Sequence, residues 1–534
     1  MLRITDLSLP LDHTEADLTN AILAQLKISS SEMTSYNIFK RSYDARKKTA
    51  ILLIYTIDVE TVDNKVVLNR CKDHPKISVT PDTSYQFVAQ AGKSSFDRPV
   101  VIGFGPCGLF AAFILAEMGY RPIVLERGKT VRERTKDTWG LWRKRELQPE
   151  SNVQFGEGGA GTFSDGKLYS QIKDPKHYGR KVLTEFVKAG APEEILYVSK
   201  PHIGTFRLVK MIEQMRHRIE ELGGEIRFQQ RVTDIDIQNH EVRGLHINDN
   251  EYLATRHVVL AIGHSARDTF QMIYDRGVYV EAKPFSVGFR IEHPQSVIDQ
   301  ARFGPNAGNK ILGAADYKLV HHAKNGRSVY SFCMCPGGTV VAATSEPGRV
   351  VTNGMSQYSR NERNANSAIV VGITPADYPG HPLAGIDFQR ELESRAYELG
   401  GSNYSAPGQL IGDFIAGKPS TALGSVIPSY KPGIELGDLH LALPEFAITA
   451  IREAIPAFDK KIKGFAMQDG LLTGVETRTS SPIRIKRDDL SLCSLNTKGL
   501  YPAGEGAGYA GGILSAGVDG IRVAEAVALN IEGK

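Results

Sequence analysis

The sequence predicts an α/β fold: a Rossmann-like unit broken into two stretches, with a small α+β unit ahead of it and an α+β insertion inside it. Three features predict it. The apolar run Val100-Val101-Ile102 leads into Gly103-Phe104-Gly105-Pro106-Cys107-Gly108 and then an apolar helix. A second apolar strand, Val258 to Ile262, ends at Gly263. A third, Leu500 to Pro502, runs into Gly504-Glu505-Gly506 and, beyond Gly511-Gly512-Ile513, an Ala-rich helix. Strands alternating with helices indicate a parallel sheet. The expected division is 1–95, a small α+β unit; 97–265, the first part of the nucleotide-binding unit; 266–490, a substrate or cap unit; and 491–534, the C-terminal part.

The 534 residues suit about three domains, at roughly 100–200 residues each. With 41% hydrophobic and 23% charged residues, usage is that of a globular protein and excludes a disordered, collagen-like or disulfide-scaffold chain. A net charge of +4 is too weak to argue for nucleic-acid binding. Five cysteines, an odd number, imply no disulfide framework and fit a reduced, cytoplasmic protein. The N-terminal residues lack the apolar core of a secretory signal. Val100 to Ala116 carries no charge, but its glycines and proline break it early. No transmembrane segment and no membrane partner are therefore expected.

In the first unit, Leu2 to Leu7 reads as a strand. Glu15 to Leu26 reads as a helix with Leu18, Ile22 and Leu26 on one face and Thr14 as N-cap. Ala50 to Val59 is rich in β-branched and aromatic residues and reads as a strand. Lys40, Arg41, Arg46, Lys47 and Lys48 form a basic run against Asp44. It is open to two readings, a solvated face or a polyanion-binding surface. Ala91 to Ser95 reads as a linker.

The first glycine motif has the form G-x-G-x-x-G. Gly103 allows the tight turn, Gly105 the approach of a pyrophosphate, and Gly108 close helix–strand packing. Pro106 suits the first helical turn, and Cys107 follows it at the helix start. Phosphates would sit on the helix N-terminus. The strand Arg121 to Leu125 ends at Glu126, 18 residues beyond Gly108, where an acidic residue binds ribose hydroxyls. A carboxylate there favours FAD or NAD over NADP. Arg121 to Glu146 carries nine basic and four acidic residues. Arg127, the first after the acid, is a candidate cofactor contact, and most of the others are expected on helix surfaces. Thr205 to Leu222 reads as a helix ended by Gly223-Gly224, and strands follow at Glu225 to Gln229 and Val242 to Ile247.

Two segments favour FAD over NAD. Val258 to Gly263 resembles a segment of glutathione-reductase-like flavoproteins, and Gly499 to Gly508 with Gly511-Gly512-Ile513 resembles their C-terminal FAD motif. That resemblance implies several roles. Ile262 and Gly263 would lie against the cofactor, as would Gly504. Glu505, standing where many relatives have Asp, would hold a ribitol hydroxyl. The backbone of Gly512 and Ile513 would face the flavin N1–O2 edge from a helix N-terminus, and the backbone of Val232 would meet adenine. With no second strand–glycine–helix unit, a nicotinamide donor, NADH or NADPH, would visit the flavin face transiently.

Several runs extend the likeness: Ser42 to Lys48, Phe155 to Leu168, Gly263 to Asp268, Cys333 to Gly338 and Asn364 to Ala368. With them, nearly the whole chain resembles a bacterial family of uncharacterised FAD-dependent dehydrogenases. The resemblance implies an FAD-dependent oxidoreductase acting on a small organic substrate and names neither that substrate nor an oligomeric state. Two alternatives stand: a flavoprotein that docks RNA or protein through residues 1–95, and a non-catalytic FAD binder.

Other constellations are weaker. Gly161 to Leu168 nearly spells a P-loop, but Leu168 stands where a Mg²⁺-binding hydroxyl belongs. Its glycines instead suggest backbone passing close to the flavin ring or ribitol, with Gly161 and Thr162 as contacts. Cys333 and Cys335 face one side of a regular strand, as a redox pair or as core residues. No Cys/His set suggests a metal. Arg290 is read as a carboxylate binder or a structural ion pair, and His264 as a proton donor or a hydrogen-bonded loop residue. Arg360, Arg363, Asn364 and Asn366 either line the substrate cavity or cap a loop. No catalytic acid or base stands out.

Overall fold

The computed structural model describes residues 1–92 and 96–534. The expected linker Ala91 to Ser95 lies partly outside the described residues. Its first residue is tied down, because the Ala91 amide donates to the Met118 carbonyl at 2.8 Å.

The architecture is mixed α/β. A parallel five-stranded sheet has the order Leu500–Pro502, Val258–Leu260, Val100–Ile102, Ile123–Glu126, Glu225–Phe228. Segments 400 residues apart thus lie two strands apart in one sheet. Alternate residues serve two different cores, as pleating requires. Val101, Val124 and Val259 pack with the helices Pro106–Glu117 and Ile513–Ile531. Val100, Ile102, Leu125 and Leu260 pack with Ile235 and Leu245 of a three-stranded antiparallel sheet on the other face. Burial on both faces explains why these strands read as unbroken apolar runs.

A second, seven-stranded sheet has the order Val320–His322, Ser328–Cys335, Asn364–Ile373, Phe285–Pro294, Leu471–Glu476, Ala406–Leu410, Ile434–Leu436. Helices Ala384–Leu399 and Glu445–Asp459 pack near it. The mixed strand order explains why this region showed no readable plan in sequence.

The N-terminal unit is a four-stranded antiparallel sheet, in the order Met33–Asp44, Leu52–Thr61, Leu2–Pro10, Ile77–Val79. Its helix Glu15–Leu26 begins with a capping box. The Thr14 hydroxyl accepts from the Asp17 amide at 3.2 Å, and the Asp17 carboxylate accepts from the Thr14 amide at 2.8 Å. The strand Met33–Asp44 was not read from sequence, because its polar and apolar residues do not alternate cleanly. It carries the start of the basic run. Its outer edge is occupied: the Arg41 amide donates to the Tyr197 carbonyl at 2.6 Å, and the Ser199 amide to the Arg41 carbonyl at 2.9 Å. Tyr43 packs edge-on against Phe303, with centroids 5.7 Å apart. The N-terminal apolar core, including Ile4, Ile22 and Ile57, is continuous with that of the seven-stranded sheet. Among the described residues no helix is long and apolar enough to cross a membrane.

Candidate functional site

The parallel strands all end, at their carboxyl termini, on one cavity of about 1330 Å³. That is larger than the roughly 300–1,000 Å³ usual for a small-molecule site. Ligands in open α/β sheets bind at such strand ends.

The first wall is the glycine turn. Gly103 has φ 96°, and a Cβ there would sit 2.5 Å from the Ala261 carbonyl oxygen, so a side chain is barred twice over. A Cβ on Gly108 would overlap the Gly103 carbonyl oxygen, so Gly108 sets the contact of helix with strand. Gly103, Gly105, Pro106 and Cys107 line the cavity, whereas Gly108 stands behind it. Gly105 caps the helix Pro106–Glu117 without a side-chain bond, leaving its first-turn N–H groups for an anion.

Glu126 lines the cavity from the end of its strand and is buried. Its carboxylate accepts from the amides of Phe104 at 2.9 Å, Gly128 at 2.8 Å and Gly156 at 2.9 Å. It thus knits three loops together and keeps acceptor capacity toward the cavity. Arg127 also lines it, but its guanidinium is committed to Glu150 and Asp268 and lies over the Phe155 ring. Val232 lines the same region.

Further along stand Ile262 and Gly263, then Gly504, Glu505, Gly512 and Ile513. The Gly504 amide donates to Asp519 at 2.8 Å, and Asp519 is held in turn by buried Arg487 at 2.6 Å. Burial lifts the Glu505 carboxyl to about 7, against a lowering by the Ser481 amide it accepts from. Gly512 caps the helix Ile513–Ile531 without a side-chain bond, so a second helix N-terminus opens on the cavity.

Gly161 lines the cavity opposite Ile513. Thr162 does not: its side chain is buried, with its hydroxyl 3.4 Å from Arg134. Arg134, unnoticed in sequence, is fully buried within the loop. It donates to the carbonyls of Asn152, Val153, Gly156 and Glu157, and so shapes the glycine loop.

The remaining candidates divide. His264 lines the cavity, and burial, with Arg478 and Arg267 beside it, lowers its pKa to about 3. At neutral pH it is an uncharged imidazole rather than a proton-donating imidazolium. Arg290 is fully buried, donates to Asn366 and to the Cys333 carbonyl, and does not line the cavity. Arg360 forks onto Asp165. Asn364 binds Glu292 at 2.9 Å. The regular strand expected through Cys333 is not found. Pairing with the neighbouring strand slips between Phe332 and Cys335, and Cys333 takes a left-handed φ of 42°.

Sequence reasoning also missed Glu476, which lines the cavity and whose carboxyl is lifted by burial to about 7. It missed the N-terminal contribution as well: Lys40, Ser42 and Tyr43 line the far end of the cavity.

Residues 284–479 match the family model described as FAD-dependent protein, C-terminal domain-like. Residues 1–60 match a domain of unknown function. A Clostridium beijerinckii protein described as uncharacterized is 48% identical over 526 residues, covering 98% of each chain. The chain belongs to this family of FAD-dependent proteins. Its cofactor is FAD. The residues fit it: two helix N-termini without side-chain caps, a carboxylate at the strand end and glycine turns converge on one cavity. Among solved structures, a flavin-dependent brominase is 12% identical with a TM-score of 0.37, covering 82% of this chain and 80% of its own. A geranylgeranyl bacteriochlorophyll reductase-like protein from Thermoplasma acidophilum is 12% identical with a TM-score of 0.35, covering 82% and 79%.

Proposed function

We propose that this FAD-dependent protein is an oxidoreductase that exchanges two electrons with a small anionic substrate. One observation carries the reading: the cavity continues past the glycine turns to a second end, lined by the seven-stranded sheet and the N-terminal unit together. Lys40, Lys167, Lys200 and Lys318 line that end against Asp165 and Asp316. Asp165 is already held by Arg360 and Asp316 by Lys200 at 2.8 Å, so positive charge is in excess there. Such a wall attracts an anion.

When bound, FAD supplies the redox chemistry. The chain supplies the rest. Gly103, Gly105, Pro106, Cys107 and the helix they open bind the pyrophosphate, with Gly108 setting the helix against its strand. Glu126 holds the ribose, with Arg127 bracing its loop, and the Val232 backbone meets adenine. Ile262, Gly263 and Gly504 flank the cofactor's length, and Glu505 holds a ribitol hydroxyl. Gly161 would pack against the ring, and the Gly512–Ile513 helix end would favour negative charge there. No role is assigned to the Thr162 side chain.

The reading with residues 1–95 as a macromolecule-docking module has less support, because Lys40, Ser42 and Tyr43 face the cavity. The test is anaerobic titration of the purified holoprotein with NADH and NADPH, followed by a screen of small carboxylates and phosphates for reoxidation. Bleaching of the flavin by one donor and its recovery with an anionic acceptor is expected. A flavin that no donor or acceptor changes favours a non-catalytic binder.

A further inference from the structure

Cys333 and Cys335 stand where the strand Ser328–Cys335 loses its regular pairing. Phe332 opposes Ala368 and Cys335 opposes Asn366, so the segment between them holds one residue more than its partner strand. Cys333 absorbs the kink in a left-handed conformation uncommon for a residue with a side chain. Strain of this kind persists where the surroundings over-determine it, and it clusters at functional sites. Here the surroundings are plain. Fully buried Arg290 donates to the Cys333 carbonyl at 3.1 Å, and the Cys335 thiol lies 3.3 Å from the same oxygen.

The kink has two consequences. It turns Cys333 onto the cavity while Cys335 stays buried beneath it. It also brings the Cys335 thiol back onto Cys333. In an extended strand their Cα atoms would lie about 6.6 Å apart, at the upper limit for a disulfide. A bulged segment is shorter, and the Cys335 thiol reaches back to donate to the Cys333 carbonyl at 3.3 Å. Two cations lie near the pair: the Arg290 guanidinium, on the Cys333 carbonyl at 3.1 Å, and Lys167 of the glycine loop, which lines the same cavity as Cys333. The Cys335 hydrogen bond first, then these cations, draw the Cys333 thiol below its ordinary pKa, whereas Cys335 is pushed up. A half-buried, cavity-lining sulfur inclined to the thiolate beside a protonated resolving thiol is the arrangement of a redox dithiol.

We propose that Cys333 and Cys335 form a redox-active dithiol that exchanges two electrons with the flavin held in the same cavity. This rests on the oxidoreductase reading. In the oxidising direction both S–H bonds break and one S–S bond forms. The dithiol gives two electrons to the oxidised flavin; one proton accompanies them and the other is released to solvent. The reverse uses reduced flavin to open the disulfide and restore both thiols.

The experiment uses the air-oxidised holoprotein under anaerobic conditions. Dithionite titration should consume two electrons per chain beyond those taken by the flavin in the wild type, and none beyond them in Cys333→Ser or Cys335→Ser. A second measurement needs no variant. Alkylation in denaturant followed by trypsin yields a peptide spanning 328–349 that holds both cysteines and no other. From oxidised protein it should be unlabelled and two hydrogens lighter; from reduced protein it should carry two labels. A flavin that takes up electrons while both thiols stay open to labelling in the oxidised protein overturns the relay and leaves the oxidoreductase reading standing. A flavin that accepts no electrons overturns that reading, and the relay with it.

Discussion

Replacing Glu126 by alanine separates two jobs that one carboxylate performs. In the folded chain it accepts three backbone N–H groups, from Phe104, Gly128 and Gly156. A buried donor left without a partner costs about 1–3 kcal/mol. The site borders a cavity that admits water, so the lower end applies to each, and Glu126→Ala should destabilise the apoprotein by about 3 kcal/mol. The second job is toward the cofactor. Loss of the acceptor for the ribose hydroxyls should weaken FAD by a further 1–3 kcal/mol, roughly 5- to 150-fold in Kd. Glu126→Gln keeps one acceptor oxygen and should fall between on both scales. Denaturant unfolding of the apoprotein reads the first quantity, and fluorescence-monitored FAD reconstitution the second. Unchanged FAD affinity in a Glu126→Ala protein that still folds would refute the ribose assignment. Unchanged stability would refute the three-loop clasp.

Other outcomes follow from the same structure. Burial lifts the Glu476 carboxyl from its ordinary 4.5 to about 7. Between those values the folded chain holds a proton that the unfolded chain has released, so this contribution to stability falls as pH rises from 4.5 to about 7 and is flat above. About 3 kcal/mol is at stake, and Glu476→Gln should remove that slope from unfolding free energies measured across the interval. Arg134→Met leaves the carbonyls of Asn152, Val153, Gly156 and Glu157 without their donor. Faster proteolysis within 150–163 and loss of FAD retention are expected, and normal FAD content would contradict the role given to Arg134. Thr14→Ala breaks the capping box and should cost about 1 kcal/mol in unfolding experiments, with FAD affinity unchanged. A change in FAD affinity would mean that the capped helix influences the cofactor end of the cavity.

The nucleotide end of the site was legible because its determinants are local. A tight turn needs glycine at Gly103, close packing needs it at Gly108, and an acid must end the next strand. Each leaves its mark within a few residues. The far end was not legible, because its determinants are distant. Lys40 and Tyr43 meet Lys167 and Lys318 only through the folding of three sheets. Arg134 looked like one more charge on a basic helix, and only the chain that wraps it shows that it is buried. The pairing of Arg487 with Asp519 leaves no trace in spacing. At Cys333 the sequence suggests a plain strand, and the irregular pairing arises from the partner strand and from Arg290.

The central claim is that distant stretches of the chain enclose one FAD molecule, and flavin stoichiometry tests it most directly. The protein should purify yellow, or take up FAD when it is supplied, and denaturation should release one FAD per chain. A colourless chain that binds no added FAD would contradict the account.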